Sequence, residues 1–215
     1  MAYYNDTVGL SGDVVTLSKD EHDQVIKAIE LIKANKFISK FFAIEEENAE
    51  IHNQVVIYFR YMDEDCKVMM DKVYVDHNKK TIQILDVKST GKSVLEFEAG
   101  YLAYGYYRQL AFYELSVWST TSPYHKLLTE EGYTLLDPAF IVVEKGAKST
   151  HPAVMYIVDP ADRACGLNGG MVNGKYYKGI VELILAYKFH NATNLWDMSK
   201  ELYDSQGCLP IKAFK

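Results

Sequence analysis

Asp86 and Lys88 stand two residues apart in the stretch ILDVKST, residues 84–90. In an extended strand alternate side chains share a face, so Ile82, Ile84, Asp86 and Lys88 point the same way. A carboxylate that interrupts an apolar stripe is costly to leave ionised and alone. It needs a cation, a proton or a metal. Asp71, in the preceding segment KVMMDKVYV, raises the same question. On simple alternation it shares a face with Met69, Val73 and Val75. A hairpin would bring Asp71 and Asp86 side by side. Two carboxylates, a backbone carbonyl and water make a hard-oxygen site suited to Mg²⁺ or Mn²⁺. Lys88 would point into that site, where an ammonium can position a water or stabilise charge developing on a phosphate. The competing reading is an ordinary exposed ion pair, worth ~0–1 kcal/mol.

The flanking sequence supplies the elements that would position these groups. LSKDEHDQVIKAIELIKANKF opens with Ser18 and, three residues on, Glu21, the signature of a capping box. Ala28 and the helically spaced Val25, Ile29 and Ile32 predict an amphipathic helix of about 20 residues. Three strand-like segments follow: Gln54–Tyr61, Lys67–Val75 and Thr81–Lys88, joined by the short turns MDEDC and DHNKK. After STGKS, the stretch LEFEAGYLAYGYYRQLAFYELSVW reads as one long helix. Leu102, Tyr106, Gln109, Tyr113 and Ser116 or Val117 would lie on one of its faces. AFIVVEK and AVMYIVD read as two more strands, and Pro160 as the start of a helix. GLNGGMVNG breaks the pattern before the closing helices in YYKGIVELILAYKFH and NLWDMSKELYD. The expected fold is α/β, a mixed central sheet of about five strands flanked by helices, in one domain spanning residues 1–215.

Composition narrows the function. With 215 residues and a hydrophobic fraction of 48% the chain can bury a sizeable core. No apolar run approaches the roughly 18–20 residues of a membrane helix, so no membrane partner is expected. The first residues lack a basic region followed by an apolar one, so no signal peptide is expected. Cys66, Cys165 and Cys208 lie far apart with no CxxC, which argues against a zinc or iron–sulfur cluster and fits a reducing, cytoplasmic setting. The net charge of −6 gives no support to a general nucleic-acid coat protein. No phosphate-binding glycine loop is present. The 6 histidines form no HExxH pair and read as surface or turn residues. EEENAE, residues 45–50, reads as a solvated acidic helix end or loop.

Asp71, then ILDVKST, then YGYYRQLAFY together resemble the PD-(D/E)XK nuclease superfamily, most nearly its phage-type exonucleases of the RecE and lambda exonuclease kind. Those proteins present an acid on one strand, D/E-x-K on the next, and a helix with a Tyr-x-x-Gln-like motif, matched here by Tyr106 and Gln109. The element order agrees from about the first helix to near Trp196. The resemblance implies a restriction-endonuclease-like core and a Mg²⁺- or Mn²⁺-dependent deoxyribonuclease, an exonuclease on double-stranded ends that works in recombination. It implies that Asp71, Asp86 and the Val87 carbonyl hold the metal and that Lys88 is the catalytic lysine. Gln109 would orient the lysine, a water or a phosphate, with Tyr106 and Tyr113 beside it or simply in the core. Ser89, Thr90, Lys92 and Arg108 would either contact phosphate or serve as plain surface residues. The resemblance also implies DNA as partner, a homo-oligomer, and a single-strand annealing or recombination partner. One position departs from the pattern. Relatives often carry an acid or histidine upstream of the first aspartate, and here that place falls to Gln54, Glu50 or His52. The alternative is therefore a catalytically degenerate protein of the same fold that binds DNA or a protein partner.

Overall fold

A computed structural model describes residues 17–43, 47–146 and 148–211. The first helix, α1, runs Lys19–Ala34. Its capping box forms as expected, with Glu21 N donating to Ser18 Oγ and Ser18 N donating to Glu21 Oε2. Its buried face differs from the expected one. Leu31 and Ile32 are buried, whereas Val25 and Ile29 remain over 40% exposed. Only the C-terminal half of α1 meets the sheet, where Leu31 O accepts from Ala153 N and Asn35 Nδ2 donates to Ala153 O.

Three strands follow: β1, Ala49–Tyr61; β2, Glu64–Asp76; and β3, Thr81–Thr90. Each extends beyond its expected limits. The β1–β2 turn shrinks to Met62 and Asp63, both at positive φ, as a tight two-residue hairpin requires. Glu50 consequently lies within β1 rather than in an acidic loop or helix end; Glu45 and Glu46 fall outside the described residues.

The expected long helix is broken. A 3₁₀ turn at Val94–Glu96 leads into α2, Phe97–Tyr101, and a second helix, α3, covers Tyr106–Val117. Gly105 between them has φ +71°, a left-handed conformation that ends one helix and starts the next at a new angle. Leu102 therefore lies off the α3 face that carries Gln109 and Tyr113. After α4, His125–Thr129, come β4, Thr134–Leu135; β5, Ala139–Glu144; and β6, Val154–Ile157. Asp159 caps α5, Pro160–Asn168, by accepting from Asp162 N. The glycine-rich stretch folds into a small hairpin, β7 (Gly170–Val172) with β8 (Lys175–Tyr177). The closing helices are α6, Ile180–Thr193, and α7, Lys200–Asp204.

Among the described residues the main sheet has six strands in the order β1-β2-β3-β5-β6, with β4 also paired to β3. It is mixed, as expected: β3 runs parallel to β4 and β5, and the other neighbours are antiparallel. The additional strand, β4, is two residues long and lies in line with β5 along β3. Helices cover both faces. Leu110, Tyr113 and Val117 of α3 pack on one face with Ile82, Ile84 and Phe140. Leu31 and Ile32 of α1 pack on the other with Leu85 and Ile141. Among the described residues no helix is long and apolar enough to cross a membrane.

Candidate active site

Strands β2 and β3 pair from Lys72↔Leu85 to Asp76↔Thr81 and then part. The next pair in that register would be Asp71 opposite Asp86, so the two acids stand at the mouth of a fork between the strands. Asp71 turns into the fork, where its Oδ2 accepts the Val87 N–H at 2.9 Å. The amide and carbonyl of one strand residue point to the same edge, so the Val87 carbonyl also faces this gap.

Asp71 reaches the site by a route different from simple alternation. Val68 and Met70 pack into the same core as Val73 and Val75, while Met69 is half exposed. The strand therefore changes face between Met70 and Val73. Its partner does the same: Val55 and Ile57 face that core, whereas Ala49 and Ile51 face the opposite one. At the crossover Gln54 adopts φ +52°, and the ladder lacks its Gln54–Asp71 rung. Asp71 thus lies at the change of face with its carboxylate along the sheet, rather than in a stripe with Met69 and Val73.

Asp86 is 1% exposed. Its Oδ1 accepts from Gln109 Nε2 at 2.8 Å, and Tyr113 Oη lies 3.4 Å from the same oxygen. Gln109 places its second amide proton on Tyr113 Oη at 2.7 Å, and Tyr113 donates to the Met69 carbonyl at 2.9 Å. That carbonyl belongs to β2 beyond the fork, so α3 reaches across to bridge the parted strands. Asp86 Oδ2 pairs with Lys88 Nζ but has no aligned hydrogen bond. Lys88 Nζ also stands 4.8 Å from the centre of the Tyr106 ring, which holds the ammonium by cation–π attraction. Burial pushes the Asp86 carboxyl above its ordinary range; Lys88 opposes that shift and the charge on Asp71 adds to it. Burial likewise pushes the Tyr113 phenol up to about 12. At neutral pH it is a fixed O–H donor.

Asp71, Asp86, Val87, Lys88, Gln109, Tyr106 and Tyr113 therefore converge, as the sequence motifs imply. Of the upstream candidates, Gln54 is the one beside Asp71, with its Nε2 3.4 Å from Oδ1. Glu50 is engaged elsewhere: it pairs with His52 Nε2 at 2.8 Å and His77 Nε2 at 3.2 Å. Those imidazoles in turn hydrogen-bond Tyr124 and Tyr133 through Nδ1. His52 and His77 are thus joints in a network linking β1 to the α4 region, not simple surface residues. Their distant tyrosine partners left no local signal in the sequence. Ser89, Thr90 and Lys92 line a groove that begins at Lys88. Arg108 lies apart from it, against Tyr107 and the Lys178 carbonyl. Tyr104, given no role by the motifs, lines the groove as well.

The donor set suits a hard cation: two carboxylates, one buried with an oxygen lacking a hydrogen bond, and a carbonyl at the gap. The set is small. Among the described residues no group of three or more His, Cys, Asp or Glu side chains is placed to hold a metal ion.

No protein-family profile matches the chain, and no curated protein does so. Among solved structures, the crystal structure of a candidate exonuclease from Eubacterium rectale is similar, with a TM-score of 0.54 and 15% sequence identity. The similarity covers 100% of this chain and 70% of that one. At such identity the likeness is one of fold, a mixed sheet with helices on both faces that this chain shares with that protein.

Proposed function

We propose that the chain is a Mg²⁺- or Mn²⁺-dependent DNA nuclease of the PD-(D/E)XK type, an exonuclease acting on double-stranded ends in phage-type recombination or DNA processing. One observation carries the reading. The buried Asp86 divides its oxygens, Oδ1 fixed by Gln109 and Oδ2 turned to Lys88. Lys88 balances one charge of the Asp71–Asp86 pair, and a divalent cation at the gap would balance the rest. The solved structure of similar fold, itself named as a candidate exonuclease, points the same way.

Asp71, Asp86 and the Val87 carbonyl would hold the metal, which when bound polarises the scissile phosphate and lowers the pKa of attacking water. The chain's own residues supply the rest. Lys88, held between Asp86 and the Tyr106 ring, offers an ammonium to the attacking water or to the oxygen that gains charge. Gln109 and Tyr113 stop Asp86 from rotating. The reading makes DNA the substrate; a homo-oligomer and a recombination partner are proposed from the family resemblance alone.

The test is hydrolysis of linear and circular DNA with Mg²⁺ or Mn²⁺. Linear DNA should be degraded from its ends, and Lys88→Ala should lower the rate by at least about a hundredfold. A fully active Lys88→Ala variant, or a clean protein inert on every DNA form, would overturn the proposal. The second reading, a degenerate DNA- or protein-binding relative, is favoured by Gln54 standing where an acid would complete the site. Calorimetric Mn²⁺ titration of wild type and Asp71→Asn decides between them. A nuclease binds metal and loses it with Asp71→Asn.

A further inference from the structure

The groove that opens at Lys88 encloses about 730 Å³ between the end of β3 and the α2–α3 turn. That is within the range of small-ligand sites, about 300–1,000 Å³. It has room for one or two nucleotides. One side carries Lys88, Ser89, Thr90, Gly91 and Lys92. Gly91 has open space where a side chain would stand, so a phosphate can approach its backbone closely. The other side is aromatic. Tyr106 stacks on Phe97 at 5.6 Å and 13°, and Tyr104 continues the surface with its ring centre 5.6 Å from that of Tyr106.

Tyr104 is 75% exposed, yet it is anchored at both its backbone and its ring. Its amide closes the turn onto the Gly100 carbonyl at 2.9 Å. Its ring lies over Gly100, where an added Cβ would stand 3.1 Å from Cε2. An aromatic face held open beside two lysines is the combination that binds unpaired nucleic acid: bases stack on the ring and cations follow the backbone. Glu96, also in the lining, disfavours phosphate on its own side and so directs the backbone toward Lys92.

We propose that this groove binds the unpaired terminal nucleotides of a nucleic-acid strand, with Tyr104 as the base-stacking surface and Lys92 with the Gly91 amide as the phosphate contact. The proposal rests on the nuclease reading for the identity of the ligand. It adds that the strand leaves the site unpaired on this side. The groove then favours frayed or overhanging ends over blunt ones.

The experiment is fluorescence anisotropy in EDTA, so that nothing is cleaved, on duplexes with a blunt end, a two-nucleotide overhang of either polarity, or the same overhangs made abasic. Wild type should prefer the overhang of one polarity to the blunt end. Tyr104→Ala should weaken that complex about tenfold while Tyr104→Trp retains it. Abasic overhangs should bind wild type as poorly as native overhangs bind Tyr104→Ala. The proposal is overturned if Tyr104→Ala binds overhangs as wild type does, or if abasic and native overhangs bind alike. With wild type still degrading DNA, those results leave the nuclease reading intact. Wild type that binds and degrades no DNA overturns both.

Discussion

Gln54 faces Asp71 at the only step of their shared register, from Ala49↔Asp76 to Tyr61↔Glu64, that lacks a ladder rung. Gln54 holds φ +52° there, and its amide lies 3.4 Å from the Asp71 carboxylate. A residue that accepts left-handed backbone beside a candidate metal ligand shapes the site by its side chain as well as its backbone. Glutamine contributes an uncharged oxygen donor where a carboxylate would contribute a full charge.

Gln54→Glu is nearly isosteric and keeps the backbone, so it adds that charge while removing only the long Nε2 contact to Asp71. Divalent-cation affinity rises with ligand charge. Mn²⁺ should bind Gln54→Glu about tenfold tighter than wild type, or about 1.4 kcal/mol, by calorimetric titration. Without metal the variant should melt lower, because a third carboxylate joins Asp71 and Asp86. Unchanged affinity would mean that Gln54 does not face the cation.

Glu50 gives the complementary test. Hydrogen bonds from His52, then from His77, hold its carboxyl below the ordinary 4.5. Between the lowered value and 4.5 the folded protein binds fewer protons than the unfolded one. The stabilisation from Glu50 is therefore complete above pH 4.5 and is lost as pH falls through the lowered value. Glu50→Gln should flatten the acid limb of melting temperature against pH in that window. The change should be small, because the side chain is 53% exposed. Hydrolysis at neutral pH should be untouched, since Glu50 is turned away from Asp71. A large loss of activity would restore Glu50 as the upstream ligand.

Gly105→Ala tests whether the α2–α3 turn sets the site. Left-handed backbone costs a non-glycine residue about 1–2 kcal/mol. The new Cβ would also stand 2.4 Å from Arg108 Nη2, which the flexible Arg108 side chain can relieve. A stability loss of about 1–2 kcal/mol in urea is expected. Activity should fall too, because α3 starts at this turn and carries Gln109 to Asp86. Full stability would show that the turn is free to adopt another geometry.

The parts of the site legible in the sequence were those where residue type conflicts with environment. Asp86 in an apolar strand and Gln109 among apolar neighbours each demand a polar partner, and each finds the other. The convergence of Asp71 was legible, but its route was not. Strict alternation places it in a stripe with Met69 and Val73, whereas the face changes at Gln54, where a glutamine at positive φ leaves no compositional mark. The break at Gly105 had a signal, a glycine within a helical pattern, that the strong aromatic periodicity outweighed. β4 had none: two residues are too few to show a period, and their place beside β3 depends on distant pairing.

Tyr113 joins the two halves of the site, and Tyr113→Phe removes only its oxygen. The ring packing remains, but the Met69 carbonyl loses its donor and Gln109 loses one acceptor. Leaving a fully buried group unsatisfied costs about 1–3 kcal/mol, and these two are only partly buried, so a loss toward the lower end of that range is expected in denaturant melts. The phenol, pushed up to about 12 by burial, keeps its proton at neutral and mildly alkaline pH. Tyr113→Phe should therefore lower the rate without moving the alkaline limb of its pH profile. Gln109→Ala should weaken the same support from the other side. Gln109 and Tyr113 both steady Asp86 Oδ1 and also bond to each other, so their effects should not add. The double variant should lose less stability and less activity than the sum of the single losses. Strict additivity would show that the two side chains act on Asp86 independently.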